Sequence, residues 1–471
     1  MDNDILKILA PTVFVIFGAT GDLGKKKLVP ALFDLFKKGL LPESFHIFGF
    51  ARREYDDTGF RSYLKKIIIQ QDKTIESEVV DCFLEKVSYA RGLFEDKLAY
   101  DSLRERIDGI ENRFKVCTNK LYHLAVPPGM VESIIENLST SGLTDTCSDD
   151  MGWTRVLVEK PFGKDIDTAR KLDDKLGKLF RESQIFRIDH YLAKHTLQNI
   201  LFFRFSNLLF EPVWNKRYID RVSIRLLEED DIGGRGGFYD GVGALRDVGQ
   251  NHILQMLSLV AMENPASLES PLVRQERAKV IRALRPIDGG KVISDVTRAQ
   301  YEGYRKSDGV DKDSDTETYF KVKAFIKNKK WQGVPFFLES GKALSKKRTD
   351  ITVCFKQARP CLCPENEKGY DRANMITFII QPEEAIHIRF WAKRQGIDKA
   401  IEPRDLSFMY ENKGSKKISD YENIILDCMR GDQVLFASTE EIKASWDFIT
   451  PLIDKWGKKA LKIYKKGSDG P

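Results

Sequence analysis

The sequence predicts two domains: an N-terminal α/β domain with a doubly wound parallel sheet, and a C-terminal α+β domain with a large, mostly antiparallel sheet and helices. A chain of 471 residues is too long to fold around one hydrophobic core. Up to about residue 190, short apolar strand patterns alternate with helical patterns, as in βα units. Beyond that point longer strand patterns follow one another. We therefore place the domains at 1–187 and 188–471.

The first strand pattern, Thr12–Phe17, is a continuous apolar run with the β-branched and aromatic composition of a buried parallel strand. A helical pattern follows it, with Leu28, Leu32 and Leu35 on one face and Gly39 near its end. Further strands are predicted at His46–Phe50, Lys120–Ala125 and Thr154–Val158.

The C-terminal half carries a different set of patterns. Strands are predicted at Arg221–Leu227, Asp350–Phe355, Met375–Gln381 and Ala385–Trp391, and helices at Leu245–Met262, Tyr421–Met429 and Ala444–Trp456. The polar stretch Lys306–Glu317 is predicted to be a solvated loop.

Composition narrows the class of protein. Hydrophobic residues make up 42% and charged residues 31% of the chain, as in an ordinary globular protein. The net charge of +6 is too small to indicate a nucleic-acid partner. No apolar run approaches the roughly 18 residues that cross a bilayer, and the N-terminus lacks signal-peptide features, so we expect no membrane partner and a cytoplasmic location. Seven scattered cysteines predict reduced thiols and no disulfide framework.

A glycine-rich turn follows the first strand directly, with Gly18, Gly21 and Gly24 spaced three residues apart. Such a turn lets backbone N–H groups approach a pyrophosphate at the start of the next helix. The same spacing also occurs in plain turns, but the strand before it and the helix after it favour a dinucleotide. The predicted cofactor segment contains Gly18, Thr20, Gly21, Asp22 and Leu23.

The end of the second predicted strand indicates which nucleotide binds. Enzymes that prefer NAD place an acidic residue there to accept hydrogen bonds from the ribose 2′-hydroxyl. Here Arg52 and Arg53 occupy the position, and guanidinium groups suit a 2′-phosphate. The sequence therefore favours NADP, with solvated surface arginines as the alternative. Pro127, after another strand, is a candidate for the nicotinamide pocket, with a plain loop as the alternative.

Two histidine-containing stretches, Arg187–Lys194 and Arg246–His252, place polar residues beside apolar segments, which is costly unless they face a polar cleft. A histidine with a neighbouring carboxylate can act as a base near neutral pH. Lys160 follows a predicted strand at its carboxyl end, where such sheets bind ligands. Together these features predict a site at the domain junction.

No metal site is predicted. His190 and His195 are five residues apart, which is about 140° around an α-helix, so they do not face one ion. Cys361 and Cys363 lack the second cysteine pair of a zinc site.

A set of motifs in this order resembles the glucose-6-phosphate dehydrogenase family. The motifs are GATGDLGKKK, EKPFG, RIDHYLAK, FEPVWN, GRGG, RDVGQNH, VPFFLESGK and ASWDFITP, and they cover nearly the whole chain, from Val13 to about Trp456. RIDHYL and RD-x-x-QNH are the specific ones. The resemblance implies a Rossmann-like N-terminal domain and a C-terminal sheet that builds a homodimer or a higher homo-oligomer.

The resemblance also implies a reaction and the residues that carry it. The reaction is oxidation of glucose 6-phosphate at C1 to 6-phosphogluconolactone with hydride transfer to NADP, the first step of the oxidative pentose phosphate pathway. It implies that His252 is the base, that Asp189 orients it, and that Lys160 contacts sugar and cofactor. By the same resemblance, the 6-phosphate would be held by His190, Tyr191 and Lys194. The sugar hydroxyls would be bound by Glu228, Asp247 and Lys342, and the pocket would be completed by Lys347 and Gln381. The 2′-phosphate of the cofactor would be bound by Thr20 and Arg52. The Glu228–Asp231 run leaves Glu228 and Glu229 both open as the sugar ligand.

Two other functions compete with this one. A related NADP-dependent sugar or inositol dehydrogenase would not need the phosphate-binding set His190, Tyr191 and Lys194. A catalytically silent NADP-binding sensor would not need His252, Asp189 and Lys160 together.

Overall fold

The computed structural model describes residues 10–146, 152–287, 294–357, 373–397, 401–410, 418–456 and 460–471. They fall into two compact units. The first unit comprises the described residues of 1–163, 167–193 and 417–439, and the second comprises those of 164–166, 194–416 and 440–471. Within this part of the chain every helix is too short or too polar to cross a membrane.

The described residues contain sixteen named strands. These are β1 (Thr12–Phe17), β2 (Phe45–Ala51), β3 (Val87–Arg91), β4 (Asn119–Leu124), β5 (Thr154–Val158), β6 (Ile185–Ile188), β7 (Ile219–Leu227), β8 (Val296–Tyr301), β9 (Tyr319–Phe325), β10 (Pro335–Gly341), β11 (Arg348–Phe355), β12 (Met375–Gln381), β13 (Ala385–Lys393), β14 (Ile401–Met409), β15 (Phe436–Ala437) and β16 (Lys462–Tyr464).

Helices connect many of these strands. The α-helices are α1 (Val29–Lys37), α2 (Asp57–Gln71), α3 (Ser77–Glu85), α4 (Lys97–Phe114), α5 (Pro128–Thr140), α6 (Ile166–Leu179), α7 (His195–Phe205), α8 (Gly236–Tyr239), α9 (Leu254–Ala261), α10 (Ser270–Arg282), α11 (Asp420–Arg430) and α12 (Thr439–Trp456). Two π-helices, Gly24–Leu28 and Leu245–Ile253, lead into α1 and α9.

The first unit is built on a seven-stranded sheet in the order β15-β6-β5-β4-β1-β2-β3. β1 to β6 are parallel, and only the short β15 pairs antiparallel, with β6. All six residues of β1 are buried, as its apolar composition predicts for a central parallel strand. The predicted doubly wound sheet is confirmed.

A late segment of the chain returns to the first unit. It contains α11 and β15, which the sequence assigns to the domain 188–471. Arg155 fixes it by donating Nη1 hydrogen bonds to the carbonyls of Cys428 and Met429, at 2.6 and 2.7 Å. Lys38 on the segment after α1 forms an ion pair with Glu422. Contacts between residues so distant in sequence leave no local pattern from which this return could be predicted.

The second unit is built on a nine-stranded sheet in the order β14-β13-β12-β11-β7-β10-β9-β8-β16. Six of its eight strand pairings are antiparallel, and the exceptions are β7 with β10 and β8 with β16. Several strands alternate between buried and partly exposed residues, as β12 does, because one sheet face is packed and the other is not. The predicted, mostly antiparallel sheet is confirmed.

The polar stretch Lys306–Glu317 corrects one prediction. Its C-terminal end is buried, including Ser314, Thr316 and Glu317, and is not a solvated loop. The partners come from distant segments: Gln300 donates to the Thr316 carbonyl at 2.9 Å, and the Leu245 N–H donates to the Glu317 carboxylate at 3.0 Å. Hydrogen bonding removes most of the cost of burying these groups.

The cysteines correct a second prediction. Cys82, Cys354 and Cys428 form no disulfide bond, as predicted. Cys117 is instead disulfide-bonded, so the prediction of reduced thiols is wrong there. Cys361 and Cys363, the two cysteines weighed as metal ligands, lie outside the described residues.

Candidate active site

In the first unit, the predicted site residues gather at one edge of the parallel sheet. The carboxyl ends of parallel strands share an edge, and ligands of such sheets bind there. Each residue lies at or just beyond such an end: Gly18 follows β1, Arg52 follows β2, Pro127 follows β4, Lys160 follows β5, and Asp189, His190 and Tyr191 follow β6.

The glycine-rich turn is packed too closely for side chains. Gly18 has a φ of +83°, and a Cβ there would lie 2.4 Å from the Ala125 carbonyl oxygen. A Cβ on Gly24 would lie 2.5 Å from the Ala19 carbonyl oxygen. Glycine is therefore needed at position 18 in the turn and at position 24 in the first turn of the helix, which begins at Asp22. Backbone N–H donors at a helix start are a fitting cradle for the pyrophosphate of a dinucleotide.

The arginine pair after β2 is held by a tyrosine that the sequence analysis missed. The Tyr89 hydroxyl donates to the carbonyls of Ala51 and Arg53, at 2.8 and 2.7 Å. Burial raises the Tyr89 pKa to about 12, so this hydroxyl stays a donor. Arg52 is exposed, whereas the Arg53 side chain is hydrogen-bonded to Tyr63. The arrangement fits a 2′-phosphate at Arg52. The sequence feature that could have indicated this support is Tyr89 itself, which lies on β3, the strand next to β2.

A second set of missed residues surrounds Glu159, which precedes Lys160. The His123 Nε2 atom lies 3.0 Å from the Glu159 carboxylate, and the Tyr421 hydroxyl donates to the same oxygen at 3.1 Å. Burial and the neighbouring Glu159 carboxylate raise the Tyr421 pKa. Glu159 is thereby fixed from two sides, which anchors the backbone that carries Lys160. The EKP motif marked Glu159, but nothing in the sequence marked its partners.

Asp189, His190 and Tyr191 are neighbours with different environments. Asp189 is 2% exposed and its Oδ1 accepts the Tyr191 N–H at 3.1 Å, whereas His190 is half-buried. The rings of His190 and Tyr191 lie 5.0 Å apart, centroid to centroid. The buried Asp189 carboxylate is therefore suited to holding another protein group, and the more exposed His190 imidazole to contacting a ligand.

In the second unit, four predicted residues lie at one edge of the large sheet. β7 and β10 are parallel neighbours, with Leu227 opposite Gly341, so the residues that follow them meet. Lys342 Nζ lies 2.6 Å from the Glu228 carboxylate. Lys347 precedes the antiparallel β11, and Gln381 ends β12 opposite Thr349. Glu229 is exposed, so the ion pair favours Glu228 as the sugar ligand, the question that the sequence left open.

The π-helix Leu245–Ile253 packs on β7 and β10 and carries Asp247 and His252. The sequence predicted a helix over Leu245–Met262, and the structure divides it into this π-helix and α9. Five residues apart, the two side chains would diverge by about 140° on an α-helix. Hydrogen bonding from i to i+5 instead brings positions 247 and 252 to the same side of the helix. His252 is 2% exposed.

Hydrogen bonds fix this helix internally and at its start. The Asn251 side chain donates to the Asp247 carbonyl at 3.0 Å and accepts the His252 N–H at 2.7 Å. At the first turn, Glu317 accepts the Leu245 N–H. Burial raises the Glu317 pKa to about 7.

Among the described residues, no group of three or more His, Cys, Asp and Glu side chains is arranged to hold a metal ion.

Fold and site together define a class. One unit is a nucleotide-binding sheet with arginines after β2, and the other presents a buried histidine, carboxylates and lysines. These are the features of an NADP-dependent dehydrogenase acting on a hydroxylated substrate.

The chain belongs to the glucose-6-phosphate dehydrogenase family. Residues 15–199 match the family's NAD-binding domain and residues 201–471 its C-terminal domain. Glucose-6-phosphate 1-dehydrogenase of Chlamydia pneumoniae is 38% identical, over 98% of this chain and 93% of its own length. A cytoplasmic isoform from Arabidopsis thaliana is also 38% identical, over 97% and 88%. A solved glucose-6-phosphate dehydrogenase in complex with glucose 6-phosphate superposes with a TM-score of 0.88 at 34% identity, covering 98% of this chain and 96% of that one.

Proposed function

We propose that this chain oxidises glucose 6-phosphate at C1 to 6-phosphogluconolactone and passes the hydride to NADP, opening the oxidative pentose phosphate pathway in the cytoplasm. The observation that carries the proposal is the sheet edge of the second unit. There the Glu228–Lys342 ion pair lies at the ends of β7 and β10, the two strands on which the helix bearing Asp247 and His252 packs.

The chemistry follows from the residue types. The His252 imidazole accepts the proton of the C1 hydroxyl as the hydride leaves C1, and Asp189 keeps that imidazole oriented and stabilises its protonated form. NADP, when bound, accepts the hydride. Lys160 donates to the reacting oxygen, and Glu228, Asp247 and Lys342 bind the other hydroxyls, with Lys347 and Gln381 completing the pocket.

The cofactor is held by the first unit. The turn of Gly18, Thr20, Gly21, Asp22 and Leu23 supplies backbone donors for the pyrophosphate, and Pro127 borders the nicotinamide. Thr20 and Arg52 bind the 2′-phosphate, for which a guanidinium offers two parallel donors.

The test of this function is a cofactor-reduction assay with the purified chain. Reduction of NADP is expected with glucose 6-phosphate, with much weaker turnover of glucose and weaker use of NAD. Faster turnover of glucose or of an inositol than of the phosphorylated sugar would favour the related sugar dehydrogenase. Binding of NADP with no turnover of any sugar would favour the silent sensor.

The phosphate set gives a separate prediction. His190, Tyr191 and Lys194 hold the 6-phosphate, and Lys194 contributes a point charge from the start of α7. Replacing Lys194 by Ala is expected to raise the KM for glucose 6-phosphate roughly 10- to 100-fold, because one charge-assisted hydrogen bond is lost, with kcat changed much less. Steady-state kinetics against glucose as a control substrate measure this. An unchanged KM would remove Lys194 from the phosphate site.

We also propose that the chain forms a homodimer through the large sheet of the second unit. Leu406, Phe408 and Met409 on β14 are 61%, 54% and 40% exposed. Leu406 and Phe408 border a groove of about 570 Å³ with Phe202 of α7 and Ile388 of β13. An apolar strip of this kind on an outer strand favours association, and a second copy would cover it with an identical strip.

The dimer proposal predicts the effect of a single charge. Leu406→Asp is expected to convert the dimer to a monomer at micromolar concentration, because a carboxylate would be buried without a partner. Sedimentation velocity measures the mass, and Leu98→Asp, at a position 76% exposed on α4, is the matched control. A wild-type chain that sediments as a monomer, or a Leu406→Asp variant that remains a dimer, would contradict the proposal.

A further inference from the structure

Tyr239, at the end of α8, has a buried hydroxyl that lacks a hydrogen-bond partner. The residue is 1% exposed, and its hydroxyl oxygen is among the buried polar atoms of the described chain that make no hydrogen bond. A buried polar group without a partner is costly, and phenylalanine would fill the same space without that cost. The hydroxyl therefore calls for a functional explanation.

The surroundings of Tyr239 are those of the proposed sugar site. The carboxylates of Asp247, Glu317 and Glu228 act electrostatically on its hydroxyl, and Asp247 has the largest effect of the three. The Lys342 ammonium lies 5.6 Å from the centre of its ring. Burial and these carboxylates raise the Tyr239 pKa, so the group is protonated and is a hydrogen-bond donor. A donor thus lies beside carboxylates that are proposed to bind sugar.

The burial of the hydroxyl indicates how it acts. Less than 1 Å² of the Tyr239 hydroxyl oxygen is accessible, so a sugar hydroxyl cannot reach it in this conformation. Asp247 lies in the first turn of the π-helix and is only partly buried, so a ligand can reach its carboxylate. The hydroxyl can therefore act on the sugar only through a carboxylate.

We propose that Tyr239 is a positioning residue for Asp247: when the sugar binds, the Asp247 carboxylate turns to accept the Tyr239 hydroxyl hydrogen bond and is held in its sugar-binding orientation. The inference rests on the proposed function, since Asp247 is a sugar ligand only by that proposal. It explains why an unpartnered hydroxyl is retained, because its partner is completed only in the complex.

The experiment is a double-mutant cycle of Tyr239→Phe and Asp247→Asn, with KM for glucose 6-phosphate, kcat and the melting temperature of the free enzyme measured for each variant. Tyr239→Phe is expected to raise KM about tenfold, as loss of a hydrogen bond to a charged group does, with kcat within about twofold. Its melting temperature is expected to be equal to or above that of the wild type, because only an unsatisfied hydroxyl is removed. In the Asp247→Asn background the same change is expected to add nothing.

Tyr304→Phe is the matched control. Tyr304 packs against Tyr239, with ring centroids 6.3 Å apart, but its hydroxyl donates to Asp240 at 3.1 Å. This variant is expected to lower the melting temperature and leave KM unchanged. An unchanged KM in Tyr239→Phe, or an equal rise in the presence and absence of Asp247, would overturn the inference. An unchanged KM in Asp247→Asn itself would instead overturn the proposed sugar role, so the two failures are distinguishable.

Discussion

Replacing His252 by Asn is expected to lower kcat by roughly 10²- to 10⁴-fold, the contribution of a positioned general base. Asn251 and the helix start fix the backbone around position 252, so asparagine there keeps the local structure while losing the proton acceptor. The KM for glucose 6-phosphate is expected to change little, because the sugar hydroxyls and the phosphate are bound by other residues. Steady-state kinetics with saturating NADP measure both constants.

The control separates chemistry from folding. His387→Asn changes a histidine on β13 that contacts Ser407 and has no proposed part in the reaction, so its kcat should remain near the wild-type value. The melting temperature of His252→Asn should stay within a few degrees of the wild type. Wild-type turnover in His252→Asn would remove this residue as the base.

The second large effect concerns cofactor choice. Arg52→Ala is expected to raise the KM for NADP roughly 10- to 100-fold while leaving the KM for NAD unchanged, because only NADP carries the 2′-phosphate that a guanidinium binds. Steady-state kinetics with each nucleotide measure the ratio of the two kcat/KM values.

Arg53→Ala is the matched variant for this prediction. Arg53 is adjacent in sequence and is also exposed, but its side chain is hydrogen-bonded to Tyr63. We expect its loss to change the KM for NADP only a few fold. Equal effects of the two substitutions, or a parallel rise in the KM for NAD, would show that Arg52 does not select the cofactor through the 2′-phosphate.

Much of this fold follows from local pattern. β1, β5 and β12 have the predicted bounds, because a continuous apolar run or a strict alternation ends at a clear turn signal. The other predicted strands differ from the structure by only one or two residues at an end. The return of residues 418–439 to the first unit was not predictable, since it depends on Arg155 and Lys38, each more than 250 residues away.

The site was predicted less completely than the fold. Motif positions marked Lys160, Asp189 and Glu228, and the sheet edges collect them within their own units. Tyr89, His123 and Tyr421 were missed, because each supports a site residue from a strand or helix with no motif of its own. The burial of Glu317 was missed because a polar run looks the same whether its partners are water or the start of a helix.

The π-helix determines how the protein would respond to the insertion or deletion of a residue at this point of the chain. A π-turn is equivalent to an α-helix that has absorbed one inserted residue locally, so that α9 keeps its buried orientation and is not rotated by about 100°. Spacing between Asp247 and His252 is thus as important to the site as their identity. An insertion or deletion here that the π-turn did not absorb would change the phase of the helix that follows.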